Sequence, residues 1–503
     1  MDILAICLWS LCLLLLLAVL SFIVLCCYVK YMHVKYDYIP GPPRDSFLLG
    51  HAALIQKMTE QQKNPHDMFL QWMEKYGPVV RINAMHIVLI FISSPEAVKE
   101  LLTTSKYSKD PQTYSKMFHL FGVRFLGTGL VSSLDYYHWH KQRRIMDPAF
   151  NRSYLISLMG TFNEVAEHLM EKLEEKADGK TQVSMYNMFA RVTLDVITKA
   201  AFGMDYSSLD DVQNPFPRAV FLIMKGMLEQ FRRPYMKILP KYKQFVQEVK
   251  DSVILLRRTG QECIRQRKNA MQKGEEVPQD ILTQILKSAE LEESIDEEAM
   301  VDNFVTFFIA GHETTANQLS STLMELTRQP EILTRLQAEV DCFVGEKKNL
   351  EYEDLRKLQY MSQVLKESLR MYPPIPGTSR TLENSMMLEG IRVPANTTIV
   401  FNSYAMGRME KFFSDPLTFN PDRFAPDAPK PYYCYIPFSL GPRSCIGQAF
   451  SQMEAKVILA KLLQRYEFEY VSGQSYEIMD AGTLKPRDGV QCTIKPRTNK
   501  YFS

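Results

Sequence analysis

Apolar positions follow three patterns along this chain. Positions 3–29 contain no charged side chain, and those 27 residues exceed the roughly 20 that a helix needs to span a bilayer. A secretory leader would place a basic stretch ahead of an apolar core of about 7–15 residues. Here only Asp2 precedes the run, and Lys30 and Lys35 follow it. This predicts an uncleaved anchor. Basic residues stay on the cytosolic side, so the N-terminus should be lumenal and the body cytosolic. In the second pattern, valine and isoleucine gather at 79–93 and again at 386–403, the latter interrupted by Gly390 and Pro394; both stretches predict short strands. The third pattern is a helical period, seen around 160–176, 245–270, 296–328, 354–370 and 446–465. No repeat appears, and no linker divides the body after Ile39-Pro-Gly-Pro-Pro43. The expected fold is mainly α with a small β-rich part, a single large domain behind an N-terminal transmembrane helix. Its expected parts are a lumenal end at 1–2, an anchor at 3–29, a proline-rich linker at 30–45, the domain at 46–495 and a tail at 496–503.

Composition changes this picture little. The chain has 503 residues, 46% hydrophobic and 23% charged, and its formal net charge of +2 gives no reason to expect a nucleic-acid partner. The nine cysteines lack paired spacing, and Cys7, Cys12, Cys26 and Cys27 lie in the apolar run, a distribution suited to a reducing compartment. Two glycosylation-type triplets, Asn151-Arg-Ser and Asn396-Thr-Thr, should be unmodified if the body is cytosolic.

Candidate chemistry concentrates in Phe438-Ser-Leu-Gly-Pro-Arg-Ser-Cys445-Ile-Gly447. An apolar helix-forming run follows, and the partial positive charge of a helix N-terminus favours the thiolate that a metal needs. Gly441 permits a sharp turn, and Gly447 lets the backbone lie close to a flat cofactor. Arg443 offers a fork of donors suited to a carboxylate such as a haem propionate, and Phe438 could wall the thiolate off from water. The alternative is a buried free cysteine in a turn. In the segment 302–316, Gly311-His-Glu-Thr-Thr315 interrupts an otherwise apolar helix. Gly311 weakens a helix, and a threonine hydroxyl can compete for a carbonyl one turn back, so a local bulge beside a ligand is expected; an ordinary helix C-terminus is the alternative. Glu367 and Arg370 fall on one helical face.

These motifs together resemble the cytochrome P450 monooxygenases. F-x-x-G-x-R-x-C-x-G is similar to their haem-binding loop, and [AG]-G-x-[DE]-T at Ala310, Gly311, Glu313 and Thr314 is similar to their oxygen-activating helix. Trp139-His-Lys-Gln-Arg143 matches their W-x-x-x-R helix, and Glu367-Ser-Leu-Arg370 their E-x-x-R pair. The resemblance implies haem b with Cys445 as axial thiolate. It implies contacts to the propionates from Arg443, Trp139, Arg143 and Arg380, and proton management by Glu313 and Thr314 beside Ala310. It further implies that Glu367 and Arg370 lock onto Arg423 as structure. Gly127-Thr-Gly129 lacks the third glycine of a dinucleotide fingerprint, so NADPH should act only through a separate membrane-bound NADPH–haemoprotein reductase. Lys141 and Arg144 could help dock that partner.

Longer runs resemble the cholesterol 24-hydroxylase subgroup: Tyr38-Ile-Pro-Gly-Pro-Pro-Arg44, residues 302–317, Arg335-Leu-Gln-Ala-Glu-Val-Asp341 and Pro416-Leu-Thr-Phe-Asn-Pro-Asp-Arg-Phe424 among them. This implies a sterol substrate, hydroxylation at side-chain carbon 24, and an endoplasmic reticulum membrane with the catalytic domain on its cytosolic side. The segments 221–241 and 375–379 and the tip at Gly482-Thr483 look less similar, and Pro442 stands where the subgroup suggests histidine. Phe118, Phe121 and Phe125 are candidates for an elongated apolar pocket or for core. Rival readings are a fatty-acid or xenobiotic hydroxylase, a haem-thiolate isomerase or synthase (disfavoured by Glu313 and Thr314), and a non-catalytic haem carrier or sensor.

Overall fold

The computed structural model describes residues 3–211, 213–292 and 296–497; the expected lumenal end and nearly all of the tail lie outside the described residues. The apolar run forms one helix, Ile3–Tyr36, of 34 residues, about 51 Å long at 1.5 Å per residue. By length and composition it can cross a membrane. It continues seven residues into the segment expected to be linker, because nothing from Lys30 to Tyr36 breaks a helix. Val29, His33 and Tyr36, spaced along one face, are buried against the domain. The Tyr36 hydroxyl lies 2.8 Å from that of Thr397, and Tyr28 packs on His86. The extended proline-rich connector begins only after this helix.

The strand-forming stretches meet in one sheet. Strands β1 (Val79–Ala84) and β2 (Ile87–Ile92) form a hairpin, while β3 (Gly377–Leu382) and β4 (Thr397–Asn402) pair antiparallel. The order is β1–β2–β4–β3, with β2 parallel to β4, so the sheet joins segments some 300 residues apart. Between β3 and β4, Met386–Leu388 and Ile391–Val393 form a separate small hairpin. It turns at Glu389 and Gly390, both at positive φ. A C-terminal sheet of Tyr466–Tyr470, Gln491–Pro496 and Val183–Ser184 has strands too short and too polar to stand out in the sequence.

Helices fill the rest. Met159–Glu174, Lys243–Gln272, Glu297–Arg328 and Gln448–Arg465 match the periodic segments. The segment at 354–370 divides into Tyr352–Lys357 and Gln359–Met371 at the non-helical Leu358. The helix Glu297–Arg328 runs through the core, capped by Asp296 and stacked through Phe304 on Phe202 of the helix Met185–Phe202 at 4.1 Å. Near its start, fully buried Asp302 receives Arg124, Arg257 and the Thr128 amide. That cluster fixes the loop around 124–130 to the central helix. At the other end of the domain, Glu367 accepts Arg370 Nε and Nη2 at 2.7 Å each and Arg423 Nε at 3.3 Å, the expected locked cluster.

Candidate active site

The cysteine loop is shaped by its glycines. Gly441 has φ +66°, and a Cβ there would collide with the Leu102 carbonyl; only glycine fits this turn. The Cys445 amide donates to the Phe438 carbonyl at 2.9 Å, closing the loop, and the helix Gln448–Arg465 starts three residues later. Cys445 is accessible by surface area, yet burial pushes its thiol pKa up, opposed by the Gly447 backbone and Arg143. A side chain that is both accessible and deep faces an internal void. At Gly447 a Cβ would meet only the Cys445 sulfur, at 3.9 Å, so the space beside the sulfur is bounded by bare backbone.

The central helix opens onto space at one place. Between Ala299 and Leu326 every residue is buried except Ala310, Gly311 and Thr314. Ala310 and Thr314 share a face one turn apart, and the Thr314 hydroxyl donates to the Ala310 carbonyl at 2.7 Å, the competition expected from the sequence. The expected bulge does not form: the helix is unbroken from Glu297 to Arg328. Gly311 serves packing instead, since a Cβ there would strike Ile197 of the crossing helix. Glu313 points elsewhere on the helix. It is 5% exposed; its Oε1 accepts from Thr483 at 2.8 Å and its Oε2 has no partner among the described residues. Burial raises its pKa, opposed by Lys485 and the Thr483 hydroxyl.

Three cations gather near the loop. Arg380, 1% exposed, donates to the Ser379 carbonyl and the Thr378 hydroxyl. Arg443 donates to the Ser133 carbonyl at 3.0 Å and stacks over Trp139 at 4.0 Å. Lys109 donates to the Val131 carbonyl at 2.6 Å and lies 4.3 Å over the Tyr114 ring. Burial lowers all three pKa values, that of Arg443 to about 10, and at Lys109 and Arg443 repulsion from Arg380 adds to the lowering. Among the described residues none of them has a carboxylate within ion-pair distance. Buried charges are normally paired, so a group carrying its own carboxylates fits here, and a haem with two propionates beside a thiol is such a group. Arg143 is engaged differently from expectation: it pairs with Asp147 at 2.6 Å and donates to the Ser444 carbonyl at 2.7 Å, bracing the loop. Trp139, 2% exposed, is the platform under Arg443.

Residues 40–494 match the family model described as Cytochrome P450. The chain belongs to the cytochrome P450 family. Among its curated relatives, Cytochrome P450 4d2 of Drosophila melanogaster is 27% identical over 91% of this chain and 94% of its own length. Cytochrome P450 4V2 of Homo sapiens is 28% identical over 91% and 90%. Cytochrome P450 4B1 of Rattus norvegicus is 27% identical over 92% and 91%. This P450 is therefore a haem monooxygenase: the family binds haem through a cysteine thiolate and takes electrons from NADPH by way of a reductase to oxidise a lipophilic substrate. These relatives do not carry the narrower likeness to the cholesterol 24-hydroxylase subgroup.

Several residues have roles that the sequence did not signal. Lys109 sits in an undistinguished Ser-Lys-Asp-Pro run, and only the folded chain brings it near Arg380 and Arg443. Thr483 and Lys485 lie about 170 positions from Glu313, which the first hydrogen-bonds and the second influences by its charge. Glu454, fully buried on the cysteine helix, has no partner for either oxygen, and burial raises its pKa well above the carboxylate range, opposed only by Thr315. Phe121 and Phe125 are core, Phe121 lying edge-on to Phe245, while Phe118 is half-buried beneath the Arg124 guanidinium. Arg144 already pairs with Glu292, and Lys141 remains exposed.

Proposed function

We propose that this P450 hydroxylates a sterol, cholesterol at side-chain carbon 24, from the cytosolic face of the endoplasmic reticulum membrane. One observation carries the site: a helix buried from Ala299 to Leu326 except at Ala310, Gly311 and Thr314, in a domain whose cysteine loop leaves Cys445 accessible. Support for the sterol comes from the subgroup-like runs at 38–44, 302–317 and 416–424. The anchor helix supports the membrane.

In this reading Cys445 would supply the thiolate that holds the haem iron, with Phe438 as its wall, and Arg380, Arg443 and Lys109 would hold the propionates. Trp139 supports Arg443, and Arg143 supports the loop backbone. When bound, the haem supplies the oxidising chemistry that inserts one atom of dioxygen into a C–H bond. The chain's own part is positional. Ala310 leaves room for the reacting carbon, and apolar walls hold one C–H bond in place. The Thr314 proton is held by the Ala310 carbonyl, so its oxygen is free to accept a hydrogen bond, and Glu313 carries a proton toward it through its unpartnered Oε2.

The test is turnover in membranes with reductase, NADPH and labelled cholesterol, locating the new hydroxyl by mass spectrometry after a reduced carbon monoxide spectrum has established thiolate ligation. A product hydroxylated at carbon 24 is expected. A fatty-acid or xenobiotic product with none from cholesterol would overturn the substrate. Thr314→Ala should divert reducing equivalents into peroxide; unchanged behaviour would favour a sensor.

A further inference from the structure

The hairpin of Ile478–Asp480 and Leu484–Pro486 brings its tip onto the central helix. Thr483, 2% exposed, lies at that tip. Asn317 Nδ2 donates to Thr483 Oγ1 at 2.9 Å. That hydroxyl has one proton, and it therefore goes to Glu313 Oε1, 2.8 Å away. The order Asn317, Thr483, Glu313 is fixed by donor chemistry, and it leaves Glu313 Oε2 as the unpartnered oxygen.

The surroundings of Glu313 come from three elements. From the hairpin, half-buried Lys485 acts on the carboxylate. From the helix Met185–Phe202, Tyr186 lies 3.1 Å from Lys485 Nζ and feels the Glu313 charge. On the central helix itself, His312 is held neutral by burial, its pKa lowered to about 4, with the Ala190 backbone as its polar neighbour. Lys485 is thus the sole cation acting on Glu313 among the described residues, and like Tyr186 it is half-buried.

Building on the proton-relay role given to Glu313 above, we propose that Thr483 is a positioning residue for proton delivery. It clamps one oxygen of Glu313 so that the other is free to pass a proton toward Thr314. Glu313 gives up that proton at Oε2 and regains one from water on the Lys485–Tyr186 side, so each cycle leaves the carboxyl as it began. Both neighbours also restrain the pKa of Glu313: a donor to the carboxylate and a nearby cation favour the charged form against burial. The same tip packs on a second helix. At Gly482 a Cβ would lie 3.4 Å from Met224 and 3.7 Å from Met227, on the helix Pro215–Arg232.

The experiment uses haem-loaded enzyme with reductase and compares Thr483→Val, which keeps the shape and loses the donor, with Thr483→Ser, which keeps the donor. Product per NADPH and peroxide release are measured, together with the pH titration of the Glu313 carboxyl band, isolated as the infrared difference from Glu313→Gln. Thr483→Val should lower product per NADPH about tenfold, a fraction of what a general acid contributes, with the deficit appearing as peroxide. Its carboxyl band should titrate at higher pH, and Thr483→Ser should restore both. Lys485→Met should shift the band in the same direction, which keeps the idea testable if Thr483→Val folds poorly. An unmoved band, or wild-type coupling in Thr483→Val, would overturn the clamp. If Glu313→Gln uncouples while Thr483→Val does not, the clamp alone fails; if Glu313→Gln couples normally, the relay fails with it.

Discussion

Replacing Glu367 by glutamine tests how the core on the loop side is held. Glu367 and Arg370 have no exposed side-chain surface, and Arg423 has 12%. Four donors converge on the carboxylate: Arg370 Nε and Nη2, Arg423 Nε, and the Asn420 amide at 2.8 Å. The amide of glutamine would turn an NH2 toward donors and leave the Arg370 charge uncompensated. Breaking a buried pair in this way costs roughly 3–5 kcal/mol, a large part of the 5–15 kcal/mol typical of a whole domain. An unfolding entropy of about 2.1 cal/mol/K per residue gives a domain of this size roughly 1 kcal/mol/K, so Tm should fall by about 3–5 °C. Arg423→Ala should cost less, because its contact is longer and partly wet. The double change Glu367→Leu with Arg370→Met removes both charges and should recover part of the loss. Recovery will be incomplete, because Arg370 also donates to the carbonyls of Gly407 and Pro416. Thermal unfolding followed by circular dichroism, with haem content measured in parallel, decides it. Glutamine within about 1 kcal/mol of wild type, or a double variant no better than the single, would refute the uncompensated-charge argument.

Three further expectations follow from described contacts. Because Glu454 holds its proton more tightly folded than unfolded, the unfolded chain binds fewer protons above the usual carboxylate range. Its contribution is therefore full in acid and lost as pH rises. Wild type should lose stability relative to Glu454→Gln as pH rises above the ordinary carboxylate range in thermal melts, and parallel curves would refute it. Lys109→Met should speed haem loss to an acceptor apoprotein about tenfold, the worth of one charge-assisted hydrogen bond, whereas an unchanged rate would make Lys109 a purely structural cation. Asn151 caps a short helix through its side chain and Asn396 sits at positive φ in a turn; both should remain unmodified in eukaryotic membranes, and a glycosidase-sensitive mass shift would place the body in the lumen.

The readable features were local in sequence. The loop at 438–447, the E-x-x-R pair and the threonine one turn after Ala310 each hold their geometry within a few residues. Positions whose roles arise from tertiary approach were silent: Lys109 nears Arg380 only after the chain has folded, and Thr483 reaches Glu313 only through a hairpin of three-residue strands. Arg143 shows another case: the motif implied a propionate contact, whereas its guanidinium pairs with Asp147, one turn along its own helix, and donates to the Ser444 carbonyl. Gly311 was expected to loosen a helix and instead admits Ile197, a demand set by a partner helix that no local pattern displays.

The helix Ile3–Tyr36 has no joint where it enters the domain. In a bilayer about 30 Å thick, its remaining two-fifths is a stiff mast seated through Val29, His33 and Tyr36. The tilt of the catalytic domain is then inherited from the tilt of the span, and the freedom left is rotation about the membrane normal. For a membrane-bound reductase this reduces the docking search to lateral approach and one angle. A pair of glycines at Tyr31 and Met32 would restore wobble and slow electron transfer without altering any residue of the haem site.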